Sequence, residues 1–339
     1  MKISTPAPQI KKTQLEDVAA ALGLSKSTVS RAISGKGRIS SETRERVLEC
    51  IKELNYRPNI IAKSLSESRT YNIGVVLPMD QCDAEAPFFQ TCITGIVREC
   101  AEKNYDAVII GTEKNDLTQL IRVVENKKVD GVIITRPLAD NSMEKLLCEN
   151  GMPFIVVGRS MMEGAVTVDS NHKDGCRELT SYLLMSNPPE KVGLLMGNMT
   201  HTVNKSRYDG FASAFTFNGT KPASNMVYTG IESSLQFSKA VSAILKYKPR
   251  CIICGDDMIC MKLLAELNNL SLSIPDDIRV ASFYDSIYLD NYIPSVTSLI
   301  FDAGELGAAA ACALMRTVEG DTSMDIILDF QMLIRKSTM

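Results

Sequence analysis

Residues 13–33, TQLEDVAAALGLSKSTVSRAI, read as two short helices joined by a tight turn. Thr13 is placed to cap the first helix, and Glu16 three residues on completes a capping-box pattern. Leu15, Val18, Ala19 and Leu22 recur at helical spacing, which gives that helix one apolar face. Gly23 stands where the chain must turn, since glycine takes positive φ cheaply. Ser25 is placed to cap the second helix, whose inward face is supplied by Val29 and Ile33. Lys26, Ser27 and Arg31 point outward, with Ser27 and Arg31 four residues apart on one side. Such a helix-turn-helix places its second helix in the major groove of DNA. There an Arg grips guanine bidentately, while Lys, Ser or Thr28 reaches base edges or phosphates.

A third helix opens at Ser40-Ser41-Glu42-Thr43 and runs to about Leu54, with Val47, Leu48, Ile51 and Leu54 inward. Charge follows the same division. Residues 1–70 hold 13 Lys+Arg against 7 Asp+Glu, whereas the remainder holds 24 against 33 and the whole chain is −3. A basic head on an acidic body suits a head that meets phosphate.

From Tyr71 the texture changes. Short apolar runs (YNIGVVLP, YDAVIIG, DGVIIT, PFIVVG, then KVGLLMG, NMVYTG, RCIICG, IRVASF) alternate with helical patterns, among them one after Pro87 and one near Leu117–Lys127. Continuous apolar strands between helices predict parallel sheets covered on both faces. About 270 residues suit two such sheets better than one. Ligands of open α/β sheets bind outside the carboxyl ends of the strands. The residues at those ends are Phe88, Thr112, Arg136, Arg159, Arg207, Asp256 with Asp257, and Tyr284 with Asp285. Asp257 is expected to cap the helix that follows it.

An ordered set of motifs resembles the LacI/GalR family of bacterial transcription regulators across nearly the whole chain. In the head these are Glu16-Asp17-Val18-Ala19, Gly23-Leu24-Ser25, Thr28-Val29-Ser30-Arg31, Ser41-Glu42-Thr43-Arg44 and Tyr56-Arg57-Pro58-Asn59. Further on come Ile73-Gly74-Val75-Val76, Pro87-Phe88-Phe89, Val129-Asp130-Gly131, Arg207 with Gly210-Phe211, Ile274-Pro275-Asp276-Asp277, Glu305-Leu306-Gly307 and Arg335-Lys336-Ser337-Thr338. The resemblance implies an all-α helix-turn-helix head and an α/β effector domain of two doubly wound parallel-sheet subdomains, like periplasmic binding proteins of type I.

On that reading residues 1–12 are a flexible N-terminus, 13–58 the DNA-binding domain and 59–70 a hinge helix and linker. Residues 71–339 are the effector-binding and dimerisation domain, its subdomains about 71–169 plus 299–325 and 170–298 plus 326–339. Asn59 to Leu65 is a segment too short to be helical alone in water. The resemblance implies that it folds on DNA, where paired hinge helices enter the minor groove. Leu65 takes the position of a wedging leucine, with Ala62 one turn before it. Asn59, Ala62 and Leu65 thus join Lys26, Ser27, Thr28 and Arg31 as expected DNA contacts. Phe88, Arg159, Arg207, Asp256 and Tyr284 fall on positions that often touch effector in the family.

Two departures bear on the effector. Family members that bind neutral sugars usually carry Asp where Tyr284 stands, and Asp256 replaces a common Asn. With Arg136, Arg159 and Arg207 nearby, an anionic sugar derivative is the expectation, opposed by the charges of Asp256 and Glu232. Reading two half-sites requires two heads, so the expected partner is a second copy on a pseudo-palindromic operator of roughly 14–20 base pairs. No heptad follows Thr338, so a tetramer built by a terminal coiled coil is not expected.

Enzyme chemistry finds no constellation. His172 and His201 stand outside any metal-spaced cluster, and Cys251 and Cys254 lie within an apolar strand pattern that points them to opposite faces. No cofactor or metal is expected. Ten cysteines without regular spacing, and no apolar leader in MKISTPAPQIKK, suggest a reduced, cytoplasmic protein. Relief of repression by an inducer is the expected sign of control. Two other readings stay open at this level: a metabolite sensor without a direct transcriptional role, and an activator or corepressor-controlled regulator.

Overall fold

A computed structural model describes residues 13–34, 38–56, 64, 67–79, 86–113, 116–137, 140–322 and 324–339. Contacts divide the chain into residues 1–70 and 71–339.

In the first unit lie α1 (Leu15–Leu22), α2 (Lys26–Ser34) and α3 (Ser41–Glu53). The cap of α1 is Gln14 rather than Thr13: the Gln14 amide donates to the Asp17 carboxylate at 2.7 Å. Thr13 instead donates its hydroxyl to the Leu54 carbonyl at 3.0 Å, which ties the start of α1 to the end of α3. Gly23 ends α1 at φ 65°. Ser25 Oγ accepts from the Thr28 amide at 3.1 Å, so Ser25 caps α2 as expected, and Ser40 Oγ caps α3 by accepting from the Thr43 amide at 3.2 Å. Val18, Ala19, Val29, Ala32, Val47 and Cys50 form the core, with Leu15, Leu22, Ile33, Ile51 and Tyr56 packed around it. Leu48 is exposed, contrary to the sequence expectation, and Leu54 sits at the exposed rim. Cys50, one turn past Val47, takes the inward position.

The second unit begins with β1 (Asn72–Pro78), α4 (Ala86–Glu102), β2 (Asp106–Thr112), α5 (Thr118–Glu125), β3 (Gly131–Ile134), α6 (Ser142–Glu149), β4 (Phe154–Val157) and β5 (Thr167–Ser170). It continues with α7 (His172–Leu184), β6 (Val192–Leu195), α8 (Thr202–Phe217), β7 (Val227–Tyr228), α9 (Ser234–Leu245), β8 (Cys251–Cys254), α10 (Asp257–Asn269) and β9 (Arg279–Ser282). The last elements are α11 (Ile287–Asp290), β10 (Thr297–Ile300), α12 (Ala303–Glu319), β11 (Ile326–Leu328) and β12 (Gln331–Leu333).

Two six-stranded sheets result, ordered β11-β5-β4-β3-β1-β2 and β12-β10-β9-β8-β6-β7. The first is parallel throughout, and the second carries one antiparallel edge, β12 against β10. Alternate residues feed opposite faces. Ile73 and Val75 enter one core and Val76 the other; Cys251 and Ile253 enter one core of the second sheet, Ile252 and Cys254 the other. Helices therefore cover both faces of each sheet, which is why these strands are apolar without a polar phase. Across one face α4 and α12 pack closely. A Cβ on Gly95 would overlap the Gly304 carbonyl, and one on Gly307 would overlap the Cys92 carbonyl.

Three crossings join the halves, after β5, after β10 and between β11 and β12. They correct the expected boundaries. Residues 299–300 belong to the second sheet because β10 continues to Ile300, and residues 326–328 belong to the first because β11 pairs with β5. Asp325 fixes that pairing by accepting from the Thr167 amide at 2.8 Å and the Thr167 hydroxyl at 3.1 Å. Among the described residues no helix is long and apolar enough to cross a membrane.

Candidate functional site

On α2 the expected DNA-reading residues share a surface. Lys26, Ser27 and Arg31 are exposed, Thr28 is half-buried, and Val29 and Ala32 point into the core. Lys26 forms an ion pair with Glu16 of α1, which holds the Glu16 carboxyl below its usual range. The hydroxyls of Ser27 and Thr28 each lie 2.8 Å from Ser25 Oγ. These contacts fix the start of α2 and leave Arg31 one turn further along the exposed side. Asn59, Ala62 and Leu65 lie outside the described residues.

The second cluster lies at the carboxyl ends of the strands. Arg207 projects from α8 and is 7% exposed. Its Nη1 donates to the Gly255 carbonyl at 2.8 Å, at the end of β8. Its guanidinium carbon lies 5.5 Å from the ring centre of Tyr284, which follows β9. A cation over an aromatic face is attracted by the ring quadrupole. The Tyr284 ring then meets Phe88 of α4 edge-on, 6.5 Å between centres and 73° between planes. Phe88 belongs to the first-sheet half and Tyr284 to the second, so this contact bridges the halves. Burial pushes the Tyr284 hydroxyl up to about 12, with Arg207 pulling the other way, so the phenol stays protonated at neutral pH. Arg207 Nε is buried and makes no hydrogen bond.

The other expected residues distribute unevenly. Asp256 caps α10, its Oδ1 accepting from the Ile259 amide at 2.7 Å. The capping role expected of Asp257 thus falls to its neighbour, because Asp256 has the extended backbone an N-cap needs and Asp257 is already helical. Asp257 is buried, and burial lifts its carboxyl above the usual range. Thr112 is buried at the end of β2, where its carbonyl accepts from the Met79 amide. Arg136 is half-buried after β3, and Arg159 is exposed after β4. Asp285 is taken by structure: Arg335 holds it through two hydrogen bonds of 2.7 and 3.0 Å. Glu232 is exposed and accepts from Asn198.

Two residues were missed by sequence reasoning. Asp169, near the end of β5, is half-buried, and burial lifts its carboxyl to about 6 against the opposing pull of the Ser170 amide, Arg159 and Arg207. His172 opens α7 in the first crossing. Its ring lies 4.1 Å from that of Phe301 in the second crossing, and burial, helped by the Arg207 charge, holds its pKa well below the usual imidazole value. The run VTVDS does alternate, which is the signal that could have marked β5 and placed Asp169 at a strand end.

The site is therefore a buried guanidinium, two aromatic rings from opposite halves and the carboxylates of Asp169 and Asp257 close enough to feel its charge. Such a set stacks on an apolar ligand face and both donates to and accepts from hydroxyls. Among the described residues no group of three His, Cys, Asp or Glu could hold a metal ion. Cys251 and Cys254 are fully buried in cores on opposite faces of β8, and burial raises both thiols.

The family described as "Periplasmic binding proteins and sugar binding domain of LacI family" matches residues 70–334, and "Bacterial regulatory proteins, lacI family" matches residues 14–59. The chain is 26% identical over 335 residues to the HTH-type transcriptional repressor PurR of Pasteurella multocida (strain Pm70), covering 95% of this chain and 98% of that protein. It is 32% identical over 272 residues to the HTH-type transcriptional regulator MalR of Streptococcus pneumoniae serotype 4, covering 77% and 81%. The fold is that of the lac repressor dimer bound to operator and the anti-inducer ONPF, with a TM-score of 0.78, 23% identity and coverage of 97% and 99%.

Proposed function

The chain belongs to the LacI family of bacterial regulatory proteins, and we propose that it is a repressor whose operator affinity is set by a small carbohydrate-like metabolite. Family membership assigns it to DNA-binding regulation rather than catalysis. The observation that carries the effector reading is the bridge Phe88–Tyr284–Arg207, which places the two halves of the second unit against one another at the strand ends. A ligand inserted there changes how the halves meet. DNA affinity changes with it, and by linkage the two effects are reciprocal.

Arg31, Lys26, Ser27 and Thr28 are the proposed contacts of the head with DNA, with Asn59, Ala62 and Leu65 in the hinge. The effector contacts are Phe88, Arg207 and Tyr284, flanked by Asp169, Asp256, Thr112, Arg136 and Arg159. A homodimer is the proposed working form, in keeping with the operator-bound lac repressor dimer named above. Exposed apolar side chains support this: Val97 and Ile109 on the first half, Ile287, Tyr288 and Ile293 on the second.

Two ligand chemistries compete. The carboxylates of Asp169 and Asp257 around Arg207 favour a neutral polyol, whose hydroxyls donate to them. The buried Nε of Arg207, without a hydrogen bond, favours a ligand with an acidic group. Calorimetry with neutral and acidic sugar panels separates them: tight binding by neutral sugars alone removes the anionic reading. A mobility shift on DNA upstream of the coding sequence tests regulation itself. The shift should need more protein in Arg31→Ala; a wild-type chain that binds no genomic fragment refutes the repressor.

A further inference from the structure

Immediately after Tyr284 the chain enters a polar network centred on Arg335, just past β12. Arg335 is 12% exposed on its side chain, as is Asp285. Its Nη1 donates to Asp285 Oδ1 at 2.7 Å, to the Val296 carbonyl at 2.8 Å and to Ser298 Oγ at 2.8 Å. Its Nη2 donates to Asp285 Oδ2 at 3.0 Å and lies 2.9 Å from Asp290 Oδ1. Ser298 Oγ in turn donates a hydrogen bond to Asp285 Oδ1 at 2.6 Å. The Arg335 backbone is anchored in turn, its amide donating to Thr297 Oγ1 at 2.8 Å and its carbonyl accepting from the same hydroxyl at 3.1 Å.

One guanidinium therefore grips both ends and the middle of the segment 285–296. That segment starts beside Tyr284, whose ring meets Arg207 and Phe88. Its middle carries Ile287, Tyr288 and Ile293, exposed at 70%, 55% and 91%. Such exposure is unusual for large apolar side chains clustered on one short stretch.

We propose that Arg335 is a positioning residue that couples the effector cleft to subunit association, by holding Tyr284 and the apolar segment 287–293 as one rigid piece. The inference rests on the dimer reading above. A bidentate pair with Asp285 resists rotation, which a single ammonium contact would not do. Movement of Tyr284 on ligand binding then reaches Ile287 and Tyr288 without passing through flexible backbone.

Sedimentation equilibrium of the full chain reads the proposal. Wild type should be dimeric, and Arg335→Gln should weaken self-association at least roughly tenfold, because one partner of a largely buried pair is removed. Arg335→Lys should recover part of that loss. Spectroscopy separates positioning from general damage. The chain has no Trp, so its near-ultraviolet circular dichroism is dominated by tyrosine. Arg335→Gln should alter that band, and the alteration should be much smaller in a Tyr284→Phe background. Should Arg335→Gln not fold, Asp290→Asn at the exposed rim of the network should weaken association in the same direction, about twofold to fivefold. A dimeric wild type with an equally tight Arg335→Gln dimer, or with an unweakened Asp290→Asn dimer where Arg335→Gln does not fold, refutes the coupling alone. A wild type that stays monomeric refutes the dimer reading and the coupling together.

Discussion

Replacing Asp169 by Asn should stabilise the protein at high pH and do nothing at low pH. Burial raises the Asp169 carboxyl from the usual carboxylate value to about 6, even though the Ser170 amide, Arg159 and Arg207 all favour its charge. A rise of about 2 in pKa corresponds to about 3 kcal/mol between the protonation states. The side chain is only half-buried, and solvent screening trims this to about 2 kcal/mol. The folded pKa exceeds the unfolded one, so the protonated carboxyl stabilises the fold fully below about pH 4, and that stabilisation is lost as pH rises through about 6. Asn keeps an oxygen to accept from the Ser170 amide, a bond of 2.8 Å in wild type, and has no charge to bury. Urea denaturation of the full chain, followed by circular dichroism across about pH 4 to 8, should show the Asn variant ahead by about 2 kcal/mol at the alkaline end. The gap should close on acidification. A gap independent of pH, or a wild type that is the more stable at pH 8, would refute the argument from burial.

Gly307→Ala places a methyl group against the backbone carbonyl of Cys92, which cannot yield as a side chain can, and should cost about 1–3 kcal/mol in the same denaturation assay. Arg31→Ala should weaken operator binding by about 1–3 kcal/mol in a mobility shift while leaving the melting curve unchanged, since Arg31 is exposed. Thiol labelling of the native chain should reach Cys148 and Cys312 first among the described cysteines. Cys92, Cys100 and Cys251 should react slowly near pH 8, burial having raised their thiols to about 12, 11 and 12.

Much of the fold is legible because local chemistry and burial agree. Gly23, Ser25 and the apolar face of α1 mark the helix pair, and eight apolar runs mark eight strands. Four strands, β5, β10, β11 and β12, carry no such run. β10, β11 and β12 are three or four residues each and take their place from pairing with segments far along the chain. That is why the boundaries at 299 and 326 moved. Capping showed the same limit: Thr13 has the right chemistry for a cap, but a carbonyl 41 residues away competes for its hydroxyl. Phe88, Arg207 and Tyr284, the proposed effector contacts, were singled out as residues that follow strands, and the structure brings the three together. Asp169 and Arg335 were not read as parts of this machinery, because the significance of each comes from burial and from charges brought in by other elements.

If one chain reads both DNA and a metabolite and couples the two, the coupling is measurable in solution. Anisotropy titration of a labelled operator fragment tests it, with and without the sugar that binds most tightly in the calorimetric panel. The sugar should change operator affinity by about 5–150-fold, and operator should change sugar affinity by the same factor. Equal operator affinities with the sugar site empty and saturated would contradict it.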